Sequence, residues 1–85
     1  MTNKPKQIDT ILYNDKFADC WTIGIEYDDW NYETLTCSDN PSYPQGVFSS
    51  NEGKYFDESN NEYSIKKWED LPEVLQNFLI DYINI

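Results

Sequence analysis

The sequence predicts an α+β domain: an antiparallel meander of four to six short β-strands with one C-terminal amphipathic helix packed on one face. Apolar and polar residues alternate through much of residues 8–67 with the period of two that strands have. Clusters of Asn, Asp, Ser, Gly and Pro interrupt the alternation at short intervals, as turns do. After Trp68 the apolar spacing becomes helical. We therefore expect a flexible N-terminal tail at residues 1–7 and a single domain at residues 8–85.

The strongest strand signal is the stretch Phe17–Tyr27, which follows an expected strand at Ile8–Tyr13. Alternation resumes from Trp30 to Cys37 after two aspartates, so the two runs predict a β-hairpin. A two-residue turn at Asp28-Asp29 would place Ile23 opposite Thr34, and a four-residue turn would keep the same faces. In either register the core face holds Trp21, Ile23, Ile25, Trp30 and Tyr32.

The two cysteines share a parity in this hairpin. The two-residue turn would place Cys20 opposite Cys37, close enough for a disulfide bridge. The chain has only these two cysteines and no apolar leader after Met1, so we expect a cytoplasmic protein with reduced thiols.

The second half of the sheet is predicted from shorter signals. Residues 38–46 carry two prolines and a glycine and are expected to form a loop. Asn51-Glu52-Gly53 fits a tight turn in which Gly53 takes a positive φ. The expected strands around these turns are Gly46–Ser49, Lys54–Asp57 and Glu62–Lys67.

The C-terminal segment predicts a helix over Leu71–Ile83. Asp70 is the expected N-cap, with Glu73 completing a capping box and Pro72 in the first turn. The apolar stripe that should pack on the sheet is Leu71, Val74, Leu75, Phe78, Leu79 and Tyr82. The outer face should carry Glu73, Gln76, Asn77, Asp81 and Asn84.

The composition argues against most kinds of enzyme and metal site. The chain has no histidine, so Ser-His-Asp and Cys-His catalytic systems are excluded. Its three glycines form no phosphate-binding motif. Asp57, Ser59 and Asn61 have the spacing of the first calcium ligands of an EF-hand, but Glu62 and Trp68 stand where that loop needs glycine and glutamate. We expect no catalytic residues, no bound metal and no cofactor.

Net charge is the strongest functional signal. Sixteen Asp and Glu face six Lys, and the formal net charge is -10. Such a field disfavours nucleic acid and anionic membranes as direct partners and favours a basic protein. Two clusters of carboxylates stand out, one at the tip of the first predicted hairpin and one at the tip of the last. The first cluster is Glu26, Asp28, Asp29 and Glu33, and the second is Asp57, Glu58 and Glu62.

Two aromatic residues are candidate anchors for a partner. Trp30 adjoins the first cluster of carboxylates, and Tyr43 lies in the proline-rich loop. The alternative for each is that it packs within the fold. The sequence thus favours a small, acidic, non-enzymatic inhibitor of a basic, nucleic-acid-handling protein. Immunity proteins of nuclease toxins and phage-encoded blockers of host nucleases are of this physical type, an analogy that rests on size and charge. The alternative is a small structural or housekeeping module whose charge only keeps it in solution.

Overall fold

The computed structural model describes residues 3–28, 31–39 and 47–84, with the backbone alone for 47–49. These residues form an α+β domain made of an open antiparallel sheet and one C-terminal helix. The predicted fold class is confirmed. The elements in chain order are β1 (Ile8–Tyr13), β2 (Trp21–Glu26), β3 (Tyr32–Cys37), β4 (Val47–Glu52), β5 (Ser64–Ile65), a 3₁₀ turn (Trp68–Asp70) and α1 (Glu73–Ile83).

The sheet order is β4-β3-β2-β1-β5, and every neighbouring pair is antiparallel. The first four strands form the expected meander. The predicted strand at Lys54–Asp57 is wrong, because this segment has no strand structure. The predicted strand at Glu62–Lys67 is reduced to the two residues of β5, which pair with the outer edge of β1. Gly53 takes the predicted positive φ, at 108°.

The register of the first hairpin differs by one residue from the expected one. Ile23 lies opposite Leu35, and Cys37 lies opposite Trp21. A one-residue shift moves alternate side chains of one strand to the other face. Tyr32 was therefore wrongly assigned to the face of Ile23. It lies on the opposite face, and the expected pairing of Cys20 with Cys37 does not occur.

The main core lies between one sheet face and α1. Strand residues Ile23, Ile25 and Leu35 are fully buried there, together with Leu75 and Leu79 of the helix. Burial of such side chains stabilises the fold by roughly 1.5–3 kcal/mol each. Partly buried residues of β1 and α1 extend this packing, namely Tyr13, Phe78, Ile80, Tyr82 and Ile83.

The helix begins later than expected because of Pro72. Leu71 is extended, with φ -71° and ψ 141°, as residues before proline tend to be. Pro72 is the N-cap, and no side chain caps the helix there. Asp70 is not the N-cap of α1: its carboxylate accepts the Lys67 backbone N–H at 2.9 Å and closes the preceding 3₁₀ turn.

One residue assigned to the outer face of α1 is buried. The side-chain amide of Gln76 donates to the Trp68 carbonyl oxygen at 2.9 Å and so ties the helix to the 3₁₀ turn. Val74, assigned to the apolar stripe, is 41% exposed. The stripe is therefore narrower than predicted, and Leu75 and Leu79 are its fully buried members.

The second face of the sheet is covered by the segment that follows β4. The Tyr32 ring packs on Phe56 with centroids 6.2 Å apart. The Thr34 hydroxyl donates to the Gly53 carbonyl oxygen at 2.7 Å and accepts the Tyr55 N–H at 2.9 Å. These contacts hold residues 53–56 against β3. No helix among the described residues has the length and apolarity needed to cross a membrane.

Candidate protein-binding surface

The sheet brings two glutamates together at the end that holds the β2–β3 turn. Glu33 on β3 lies directly opposite Glu52 on β4. Glu26, at the end of β2, pairs with Tyr32 and is exposed. Like charges directly opposite each other in an antiparallel pair destabilise a sheet. This end of the sheet therefore concentrates negative charge.

A groove of about 520 Å³ opens at this end of the sheet. We call it the acidic groove. Its wall combines carboxylates with phenol rings, and no lysine is among the described residues that line it. Such a lining suits a cationic side chain, which carboxylates attract by charge and the Tyr27 ring by cation–π contact. The Tyr32 ring already has the Lys54 ammonium 5.9 Å from its centroid. The lining residues are Tyr27, Asn31, Tyr32, Glu33, Ser50, Glu52 and Gly53.

The Glu33 carboxylate is held by three hydroxyl groups from three parts of the chain. The Tyr27 hydroxyl donates to it at 2.7 Å, and the hydroxyls of Ser50 and Tyr82 also donate to it. Burial opposes ionisation of this carboxyl, but the three hydrogen bonds outweigh burial. The pKa of Glu33 is therefore lowered from its ordinary value. The group stays charged at neutral pH.

The pKa values of the tyrosines around Glu33 are raised, whereas that of Glu33 is lowered. Partial burial and the hydrogen bond to Glu33 raise the pKa of both Tyr27 and Tyr82. Both phenols therefore stay protonated and act as donors at neutral pH. Tyr27 is 43% exposed, so its ring also forms an accessible edge of the groove.

Asp28 shapes the turn beside the groove. Its carboxylate accepts the Asn31 backbone N–H at 2.9 Å and the Asn31 side-chain amide at 3.0 Å. Since these bonds hold the β2–β3 connection, Asp28 has a structural role as well as a surface charge.

The second cluster of carboxylates predicted from the sequence lies elsewhere on the sheet. Glu58 accepts the Thr10 hydroxyl at 3.2 Å, against β1, and forms an ion pair with Lys54 at 3.3 Å. Asp57 accepts both the N–H and the hydroxyl of Ser59, at 2.9 and 2.6 Å. These two bonds lower the pKa of Asp57. Charge in this group is thus partly neutralised, or used to fix a turn.

The site residues predicted from sequence are therefore divided. Glu33 lines the acidic groove, and Asp28 bonds to Asn31 of its lining. Glu26 lies at the same end of the sheet but on the face opposite Glu33, paired with Tyr32. Asp57 and Glu58 belong to the loop over the second face, and Glu62 is exposed in the adjoining turn. Asp29, Trp30 and Tyr43 lie outside the described residues.

Six of the seven residues that line the groove were not predicted as site residues. Glu52 was assigned to a turn, Tyr27 to the end of a strand and Ser50 to no role. The signal for Glu52 was available only through the β3–β4 register, because nothing in the local sequence places it opposite Glu33.

Other chemistry in the described residues is limited. No group of three or more Cys, Asp or Glu there has a geometry that could hold a metal ion. Cys20 and Cys37 are free and buried. Burial, followed by the charge of Asp39, raises the pKa of Cys20 to about 11, and burial raises that of Cys37 to about 12. Thiols of this kind are poor nucleophiles at neutral pH.

Comparison with protein-family models, characterised proteins and solved structures finds no match to this chain.

Proposed function

We propose that this chain is a small, acidic, non-enzymatic inhibitor that binds a basic protein through the acidic groove. The observation that carries the proposal is the placement of Glu33 opposite Glu52 in a groove that no described lysine lines. A partner that supplies Lys or Arg would neutralise these charges, so the arrangement favours association with a cationic surface.

The proposed partner class follows from where strongly basic protein surfaces occur. Proteins that handle nucleic acid carry Lys and Arg in arrays that neutralise phosphates. Carboxylates fixed on a sheet could occupy such an array and block access of the nucleic acid. The net charge of -10 would speed the encounter, since opposite fields steer diffusing proteins together.

Rigidity of the groove supports the same proposal. Glu33 is held by hydroxyls from β4, α1 and the residue after β2, so its carboxylate is positioned before a partner arrives. Preorganised groups lose less conformational freedom on binding than mobile ones do. Tyr27 provides an aromatic ring of the type enriched at energetically important interface positions.

A second function is favoured by a different observation. Several of the predicted interface carboxylates bond within the chain: Asp28 to Asn31, and Asp57 to Ser59. This use is what a structural or housekeeping module without an electrostatic partner would need. The two functions differ in whether replacing exposed carboxylates affects anything beyond the fold.

Capture from a lysate of the cells that naturally make the chain separates them. The bait is the wild type, beside a groove variant with Glu26→Gln and Glu52→Gln. A control variant with Glu73→Gln and Asp81→Asn has the same charge change on exposed positions of α1. If the chain is an inhibitor, the wild type and the control should retain a basic protein that the groove variant does not retain. Binding of the wild type should also abolish the activity of that protein on nucleic acid. Absence of any retained basic protein supports the module instead.

A further inference from the structure

The lysines of this acidic chain are distributed unevenly in the fold. The sequence has six, and three of them, Lys4, Lys66 and Lys67, line one groove of about 290 Å³. We call it the lysine groove. It lies at the edge of the sheet opposite the acidic groove, beside β1 and β5. The remaining lining residues are Ile8, Asp9, Ile11, Trp68 and Glu69.

The lysine groove carries positive charge that nearby carboxylates do not pair. Among residues 3–28, 31–39 and 47–84, the one ion pair within 4.0 Å joins Lys54 to Glu58, away from this groove. The carboxylate of Asp9 accepts hydrogen bonds from Tyr32 at 2.7 Å and from Thr10 at 3.1 Å. Its negative charge is thus partly engaged by other groups.

The backbone that carries these lysines is fixed at several points. The Lys66 N–H donates to the Ile11 carbonyl oxygen at 2.9 Å, which anchors it to β1. The Lys67 N–H donates to Asp70 at 2.9 Å. On the other side of the groove, the Ile8 N–H donates to the Pro5 carbonyl oxygen at 3.1 Å and closes the turn that follows Lys4. Lysines from two distant parts of the chain therefore line one groove.

Part of the groove lining is apolar. Ile8, Ile11 and Trp68 belong to it but are each at least nine-tenths buried, so they offer a ligand little surface and the lysines supply the recognition. Lysine ammonium groups on flexible stems bind phosphate as point charges, without a fixed bidentate geometry.

We propose that the lysine groove binds a small molecule bearing a phosphate monoester, with the phosphate held by Lys66, Lys67 and Lys4. Asp9 and Glu69 line the groove and oppose this binding, whereas carboxylates farther away are screened over about 8 Å at physiological ionic strength. The two grooves share no lining residue, and the Tyr32 hydroxyl of the acidic groove donates to Asp9 of the lysine groove. The phosphate site does not rest on the proposed inhibitor function.

The test is a titration of the ¹⁵N-labelled protein with phenyl phosphate at physiological ionic strength, with phenol and inorganic phosphate as companion probes. We expect saturable shifts of amides 4–11 and 66–69 with phenyl phosphate, weaker saturation with inorganic phosphate and none with phenol. Lys66→Gln and Lys67→Gln should each weaken binding by about two- to fivefold, as loss of an exposed ion pair does. Lys16→Gln, a matched charge change at an exposed lysine outside the groove, should leave it unchanged.

Three outcomes overturn the proposal. Shifts that do not saturate and are spread over the whole spectrum would show a general ionic effect. Equal weakening by Lys16→Gln and Lys66→Gln would remove the groove as the site. Equal binding of phenol would show that the ligand is recognised by its ring and not by its phosphate. The same spectra report whether each variant is folded.

Discussion

The hydroxyl of Tyr82, in the last turn of α1, donates a hydrogen bond to the carboxylate of Glu33 on β3. This bond links the C-terminal end of the helix to the acidic groove. The same carboxylate also accepts from Tyr27 and Ser50, so one side chain joins β3, β4, the end of β2 and α1. Stability of the helix and geometry of the groove are therefore coupled.

Replacing Tyr82 with Phe removes one donor from a charged acceptor and keeps the ring. We expect the free energy of unfolding to fall by about 1.5–3 kcal/mol, as for other hydrogen bonds to charged groups. Urea unfolding of the variant measures the loss. Tyr55→Phe is the control, because Tyr55 is 68% exposed and should change stability by less than about 0.5 kcal/mol. Equal stability of the two variants would show that the Tyr82 bond contributes nothing.

Acid should weaken the fold through Glu33. Its pKa in the folded chain is below its ordinary value of 4.5, so its ionised form is the one that folding favours. The resulting stabilisation is complete above the unfolded pKa and is lost as pH falls through the folded pKa. The difference in unfolding free energy between the wild type and Glu33→Gln, measured from pH 7 to pH 2, should favour the wild type at neutral pH and shrink below about pH 4.5. A constant difference over that range would contradict the assigned ionisation.

The buried part of the helix stripe should dominate its packing energy. Leu79 is fully buried, and Leu79→Ala should cost about 2–5 kcal/mol in equilibrium unfolding. Val74→Ala on the same helix is the control and should cost much less, because Val74 is 41% exposed. Similar costs for the two would show that α1 is docked by a different face.

Gly24 marks a close approach between three strands. The Tyr32 side chain crosses β2 at this glycine to reach Asp9 on β1, and a Cβ at Gly24 would meet the Tyr32 hydroxyl and lie 2.9 Å from the Phe56 ring. Gly24→Ala should therefore lift Tyr32 and Phe56 away from the sheet. Hydrogen exchange should show lower protection of the Tyr55 amide, which bonds to Thr34 in the wild type. Unchanged protection there would contradict this packing.

The cysteine thiols should be slow to react in the folded chain. Their pKa values are raised to about 11 for Cys20 and about 12 for Cys37, so thiolate is scarce at pH 8. Iodoacetamide should modify both only after denaturation, and without added reductant. Protection of both thiols after denaturation would indicate a disulfide bridge.

The sequence was sufficient for the order and type of the main elements, because their apolar periodicity is a local property. The register of the β2–β3 pair could not be predicted in the same way, because a single residue in the connection after Glu26 decides whether Tyr32 or Leu35 faces the helix. The predicted start of the helix was also wrong. Asp70 has the residue type of an N-cap, but Pro72 keeps Leu71 extended.

The candidate site was predictable only in part. Clustering of Glu26, Asp28 and Glu33 follows from their separation along the chain. The partners that define the groove do not, because Ser50, Glu52 and Tyr82 reach Glu33 only through strand pairing and helix docking.

The proposed inhibitor function is tested most directly by association kinetics with the captured basic protein at two salt concentrations. For the wild type and the Glu73→Gln/Asp81→Asn control, we expect fast association that slows as salt rises. For the Glu26→Gln/Glu52→Gln variant we expect slower association at low salt and a weaker salt dependence, since lost interface charges mainly reduce the association rate. Equal association rates for the two variants at both salt concentrations would contradict recognition through the acidic groove.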